Sequence, residues 1–419
     1  MERSPFDPVF AAEAVSTSVN PVVTPNAYRA LWGSALGYAM DGFDLLILGF
    51  MLRGIAADLN LNAAQAASLV TATLIGAVVG GLLFGLLSDR LGRIRVLTWT
   101  IVAFAVFTGL CAVAQGYWDL LAYRALAGLG LGGEFGIGMA LVAEAWPAAK
   151  RARVSSYVGL GWQVGVLGAA LLTPALLPVI GWRGMFVVGI FPAVVAYLIR
   201  RRLREPELFM ARADRQPELT ARLRMLVSDR ATTQASLAMA VLCSVQNFGY
   251  YGVMIWLPSY LSGRFGYSLS QSALWTAVTV GGMMLGIWIF GLAADRLGRR
   301  PAFVAYMVGA AVLVIVYSRL TNAFALLVAG AAMGFFVNGM LGGYGALMSE
   351  LYPTPVRATA QNVLFNLGRA VGGLGPVTVG AVAIGWGFPV AIALLALLYL
   401  LDLVVLLLFI PEKRGTELV

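Results

Sequence analysis

Apolar runs of about twenty residues, separated by short polar breaks, recur along the whole sequence, and they leave such a chain one solution, a bundle of membrane-spanning helices. In hydrocarbon every backbone N–H and C=O must be satisfied within its own segment, which selects helices for runs of this length. The runs fall at 28–54, 65–88, 95–115, 118–146, 153–178, 182–201, 232–262, 270–294, 302–319, 322–350, 357–381 and 388–410. Composition agrees: 60% of residues are hydrophobic, 12% are charged and the mean hydropathy is +0.84, whereas soluble domains carry about 25% charged residues. The expected fold is all-α integral membrane, with twelve transmembrane helices in two pseudo-symmetric six-helix bundles.

The net charge of +9 does not point to nucleic acid, because the basic residues sit in short clusters between apolar runs. Clusters at Arg90/Arg93/Arg95, Lys150/Arg151/Arg153, Arg200/Arg201/Arg202/Arg204, Arg296/Arg299/Arg300 and Lys413/Arg414 fall on one side. The other side shows single residues such as Arg53, Arg183, Arg264 and Arg319. The positive-inside rule then predicts cytoplasmic termini, and the expected location is the cell inner (plasma) membrane. The division expected is a cytoplasmic tail at 1–27, an N-terminal bundle at 28–201, a cytoplasmic linker at 202–231, a C-terminal bundle at 232–411 and a tail at 412–419. The first segment lacks the charged start and apolar stretch of a signal peptide. Leu208, Leu219, Leu223 and Leu226 would permit a short amphipathic helix in the linker, although a plain solvated linker is the favoured reading.

Charges inside the apolar runs are costly and mark function. Asp41 and Asp44 lie three apart in the first run, on one face. At about 1.5 Å per residue, Arg124 of helix 4 comes within reach of Asp44, and Glu134 lies near the level of Asp41. These four are the candidate proton-coupling residues, with Asp44 favoured as the proton site and Asp41 as its electrostatic tuner; for Glu134 a packing role beside Gly132 and Gly133 is equally open. The chain has no histidine, so proton chemistry falls to carboxylates. Arg369 in helix 11 is the other embedded cation, and an arginine fork suits a carboxylate ligand. Gln163, Gln246, Asn247, Tyr250, Tyr251, Asn338 and Tyr344 join it as candidate lining of a central substrate cavity on helices 5, 7 and 10. Cys111 and Cys243 lie within apolar runs as packing residues, and neither a metal nor a disulfide framework is visible. No cofactor is expected beyond the proton as coupling ion, and no nucleophile and base stand at enzymatic spacing. The glycine runs 128–133 and 342–345 lack a phosphate-loop lysine and read as close packing of helices.

Internal repetition organises the whole. Gly85-Leu86-Leu87-Ser88-Asp89-Arg90-Leu91-Gly92-Arg93 recurs 206 residues later as Gly291-Leu292-Ala293-Ala294-Asp295-Arg296-Leu297-Gly298-Arg299. Glu144-Ala145-Trp146-Pro147 with Arg151 recurs at the same offset as Glu350-Leu351-Tyr352-Pro353 with Arg357. Parallel repeats of six helices are transporter architecture. The Gly-x-x-x-Asp-Arg-x-Gly-Arg pattern resembles the loop signature of the major facilitator superfamily, and Arg124-x-x-x-Gly128-x-Gly130 resembles its second motif. Asp41-Gly42-Phe43-Asp44, Gly132-Gly133-Glu134-Phe135 and Phe365-Asn366-Leu367-Gly368-Arg369 are similar to the metabolite:proton symporter branch, which includes aromatic-acid, sialate and other organic-acid carriers. The tail Pro411-Glu412-Lys413-Arg414-Gly415 is similar to a sugar-porter ending but carries Lys413 where threonine is usual.

By this resemblance Asp89 would clamp the start of helix 11 and Asp295 the start of helix 5. Arg90, Arg93, Glu144, Arg151, Arg296, Arg299, Glu350 and Arg357 would form a charge relay around them, holding the cytoplasmic side shut. The expected function is a proton-coupled symporter importing a small organic anion, such as a monocarboxylate or aromatic acid, by alternating access. It would work as a monomer in the lipid bilayer, without nucleic-acid partners. The alternatives are a sugar or other neutral-metabolite carrier of the same superfamily and a non-transporting nutrient receptor.

Overall fold

The structure is a computed structural model that describes residues 23–210, 221, 224–266, 269–415 and 418. The N-terminal tail to residue 22 and most of the proposed linker helix, including Leu219 and Leu223, lie outside the described residues. Among the described residues no strand occurs, and eleven helices are long and apolar enough to cross a membrane. One of them, Ala148–Arg200, is 53 residues long and makes two passes. Its helix bends at Gly181, whose φ of 64° and ψ of 179° lie outside helical geometry and in a region that suits glycine. Twelve passes result, as expected from the sequence.

The passes are α1 (Pro25–Asp58), α2 (Ala63–Leu91), α3 (Arg93–Cys111), α4 (Tyr117–Ala145), and α5 and α6, the two arms of Arg151–Arg200 on either side of Gly181. The second half runs α7 (Arg230–Phe265), α8 (Leu269–Leu297), α9 (Arg299–Arg319), α10 (Ala323–Gly339 continuing as Leu341–Leu351), α11 (Arg357–Gly372 continuing as Gly375–Trp386) and α12 (Phe388–Phe409). The N-terminal half is built by α1 on the α5–α6 pair and by α2 and α3 on α4. The C-terminal half is built by α7 on α11, α8 on α10 and α9 on α12. The halves meet through α2 against α11 and α5 against α8, equivalent helices of the two repeats.

α4 shows why the sequence folds this way. Its residues 127–143 are almost entirely buried, and the glycines at 128–133 bring the backbone against α2 and α3 at distances no side chain would allow. The lipid-facing helices instead expose large apolar residues, such as Phe191, Ile384 and Leu408. Apolar side chains thus face outward as well as inward, while the charged ones within the spans are buried between helices.

Candidate functional site

Each embedded acid of α1 has its own arginine. Asp44 accepts from Arg124 Nη1 at 3.0 Å and Nη2 at 2.5 Å, while Arg124 Nε also donates to the Thr73 hydroxyl. This pair is closed within the N-terminal half. Asp41 accepts from Arg369 Nη1 at 2.9 Å and Nη2 at 3.1 Å, a bidentate fork that crosses from α1 to α11. All four side chains are buried. Three residues along one helix therefore separate a pair internal to one half from a pair that bridges both.

Arg369 also borders a small central cavity, about 10 Å³ in volume, lined by Tyr38, Trp162, Gln246, Asn247, Tyr250, Tyr251, Asn338, Leu341, Phe365 and Arg369 itself. Its guanidinium lies 5.4 Å from the Trp162 ring centroid, close enough for a cation–π contact. The Trp162 indole N–H donates to the Tyr250 hydroxyl at 3.1 Å, joining the halves at pocket level. Phe365 stacks on Phe135 of α4, with centroids 3.6 Å apart. The walls are thus aromatic, with one cation and a few amides at their edge. Gln246 Nε2 donates to Asn338 Oδ1 at 2.7 Å, which leaves Gln246 Oε1 and Asn338 Nδ2 without partners among the described residues. Such buried, unspent groups are ready to meet a ligand.

Of the candidate lining residues, Gln246, Asn247, Tyr250, Tyr251, Asn338 and Arg369 meet at this pocket. Gln163 is buried beside Tyr250 at one end of the site, but does not line the cavity. Tyr344 is directed elsewhere: its hydroxyl donates to Leu242 O, and its ring packs on Phe303 behind the pocket wall. Glu134 is fully engaged away from Asp41. It accepts from Arg200 Nη1 and Nη2 at 3.0 and 2.6 Å and from the Thr100 hydroxyl at 2.7 Å. Arg200 therefore does not belong with the exposed basic cluster at the end of helix 6. It is buried, and its guanidinium also donates to Gly33 O and Leu97 O, tying α6 to α1 and α3.

The repeated loop motifs form a second constellation on the side of the membrane that carries them. Asp89 accepts from the backbone N–H of Ala358 and Thr359 at 3.3 and 2.8 Å and from the Thr359 hydroxyl at 2.6 Å, at the N-terminus of α11. Asp295 accepts from the N–H groups of Ala152 and Arg153 at 3.0 and 3.1 Å, at the N-terminus of α5. Each carboxylate thus sits at the positive end of a helix belonging to the opposite half. Glu144 accepts from Arg93 at 3.1 Å and Arg357 at 2.8 Å; Glu350 accepts from Arg299 at 2.7 Å and Arg151 at 3.0 Å. Gly92 and Gly298 turn the chain with φ of 109° and 112°, and Gly85 and Gly291 let α2 and α8 approach Asn362 and Ser156. Arg90 and Arg296 do not join this relay. One residue along a helix turns a side chain about 100° away from its neighbour, so beside buried Asp89 and Asp295 both arginines are exposed.

Two acids that sequence reasoning passed over complete the motif side. The Glu205 carboxylate accepts from the N–H groups of Arg93, Ile94 and Arg95 at 2.9, 2.9 and 3.2 Å, capping α3. Burial pushes its carboxyl up and these backbone bonds pull it back. Glu412 does the same for α9 through Arg299 and Arg300 at 3.1 and 2.8 Å. Their spacing of 207 residues, one more than the repeat, and the proline beside each were the available signal.

Twelve passes in two equivalent halves, with a charged pocket between them and clamps on one side, define a multi-pass membrane transporter. The sequence profile of the Major Facilitator Superfamily matches residues 34–291 and 265–418, and the chain belongs to that superfamily. A Haemophilus influenzae protein named for metabolite transport is 64% identical over 402 residues, covering 94% of this chain and 99% of its own. The cis,cis-muconate transport protein of Acinetobacter baylyi is 31% identical over 387 residues, covering 90% and 93% of the two chains. The niacin transporter of the same organism is 28% identical over 424 residues, covering 93% and 95%. Among solved structures, the proton:xylose symporter XylE superposes with a TM-score of 0.79 at 18% identity, over 94% of this chain and 97% of that one, and shares the fold.

Proposed function

We propose that this transporter imports a small, planar organic anion together with a proton, through the inner membrane, as a monomer with both termini and the loop motifs on the cytoplasmic side. The observation that carries the reading is the Asp41–Arg369 fork, buried at the edge of an aromatic pocket and bridging the halves. A substrate carboxylate entering the pocket is chemically equivalent to Asp41 and competes for the same two N–H donors. Once displaced, Asp41 is a buried carboxylate without a counter-ion, and binding a proton removes that cost. The neutral Asp41 no longer ties α1 to α11, so the halves are free to rock about the loaded site. Flat aromatic walls suit conjugated acids, and the relatives named for cis,cis-muconate and niacin carry ligands of that description.

In this reading the switching acid is Asp41 rather than Asp44, because the arginine at the pocket is Arg369 while Arg124 stays within its own half. The test is transport by purified protein in proteoliposomes. Asp41→Asn should lose accumulation driven by an inward proton gradient yet retain substrate exchange; accumulation at the wild-type level would end the proposal.

A further inference from the structure

Among the described residues, one buried acid stands outside every network described so far. Asp402 lies on α12, the most apolar of the spans with a mean hydropathy of 2.9, and its side chain is wholly buried. Neither of its carboxyl oxygens meets a hydrogen-bond partner, and no cation pairs with it among the described residues. The contrast with the other acids buried in the two halves is sharp: Asp41, Asp44, Asp89, Glu134, Glu144, Asp295 and Glu350 each have an arginine.

The groups around Asp402 are uncharged. Cys243 of α7, Tyr344 of α10 and Tyr399, one turn back on its own helix, lie within electrostatic reach of it. The Tyr344 hydroxyl is committed to Leu242 O, and the buried Tyr399 hydroxyl lies against the backbone at Gly249 without a partner. α9 packs along α12, and its ionisable groups are occupied or distant: Tyr306 donates to Gly286 O, Arg299 serves Glu350, Arg300 reaches Leu407 O near the end of α12, and Arg319 is exposed at the far end. Tyr317 of α9 is a further phenol, and the second segment of α11, Gly375–Trp386, contributes no ionisable side chain.

An ionised carboxylate without water or counter-ion is among the costliest groups a fold can bury, and it escapes that cost by binding a proton. We propose that Asp402 is a second proton-binding site, built into the C-terminal half apart from the substrate pocket, and that it holds its proton in this motif-side-closed state. A metal cation is the poorer occupant, since it needs several converging oxygens and the wall here offers one carboxyl, a thiol and phenols. The position has a mechanical consequence. α12 packs on α7, and Asp402 acts electrostatically on Cys243, one turn before the Gln246 and Asn247 that line the pocket, so ionisation at alkaline pH would set a bare charge beside the helix that forms the pocket wall.

Infrared spectra of the purified full-length protein test this directly. At neutral pH the wild type should show the carbonyl stretch of a protonated carboxyl, shifted in heavy water, which Asp402→Asn lacks. The melting temperature of the wild type should also fall by several degrees, relative to Asp402→Asn, between about pH 6 and about pH 9. Asp402→Leu, which removes the ionisable group altogether, should show the same pH-independence and serves if the amide misfolds. A wild-type spectrum with only ionised carboxylate at that position, or a melting difference unchanged across that pH range, overturns the proposal. Neither readout involves substrate, so the result is independent of the Asp41–Arg369 reading.

Discussion

Arg369 spends both terminal nitrogens on Asp41 and its flat face near Trp162, so its geometry, beyond its charge, is what the pocket offers a ligand. Lysine would keep the charge and lose the fork. Arg369→Lys should therefore weaken carboxylate binding by at least about tenfold, roughly 1.4 kcal/mol, in ligand-concentration thermal shifts, and Arg369→Gln should abolish it. Unaltered affinity in both variants would favour a neutral solute. At this scale the sequence was informative wherever a charge interrupted an apolar run: Asp41, Asp44, Arg124 and Arg369 all stand out, and depth counting brought Arg124 to Asp44. Depth counting also puts Asp41 and Arg369, 328 residues apart, at nearly one level, but helix depth says nothing about rotation around the axis, and so it does not pair them. Arg200 shows a related limit. It opens a run of basic residues that looks wholly exposed, yet its helical position turns it inward toward Glu134. Asp402 was equally visible as a lone acid in an apolar run, but it belongs to no repeated motif that would draw attention to it.

Glu205 and Glu412 show what lies just beyond each six-helix repeat. Each follows the last span of its half and folds back to cap the third helix of that half, α3 or α9, so each half carries its own clasp on the motif side. The Arg93 guanidinium also lies 4.9 Å from the Phe209 ring centroid, so the start of the linker docks onto the first loop motif. Capping bonds and the favourable helix dipole are each worth about 1 kcal/mol. Glu205→Gln should lower the melting temperature by about 2–4 °C, and the double variant with Glu412→Gln should show nearly additive loss, because the two clasps share no partners. A strongly non-additive result would mean that the clasps act through one network. The linker's mixture of charges hid this role, since a carboxylate satisfied by three backbone N–H groups looks in sequence like any solvated glutamate. The family resemblance of the loop motifs, by contrast, implied both aspartate clamps and the relay apart from Arg90 and Arg296, and the 206-residue offset paired their members.

The whole molecule is latched on one side. Two aspartates on opposite helix ends, two glutamates each gripped by two arginines, and the Phe135–Phe365 stack all join the halves at or on the motif side of the pocket. The twofold likeness of these clamps means that both must release together for that side to open. Asp89→Asn removes the charge from one clamp while Asp295 keeps the other. It should raise the motif-side-open population by about tenfold or more, as expected for the loss of roughly 1.4 kcal/mol, read from spin-label distances between the motif-side ends of α2 and α8. Distances identical to wild type would show that the clamps do not hold this state.

The bridging fork also fixes how the carrier meets an electric field. Asp41 and Arg369 leave the resting pocket with no net charge, and under the proposed symport a monoanion arriving with one proton would leave it neutral again. A membrane potential acts with about 2.3 kcal/mol per elementary charge per 100 mV on whatever net charge crosses. A loaded carrier of this design presents it with none, so the work of concentrating substrate falls to the proton gradient and hardly at all to voltage.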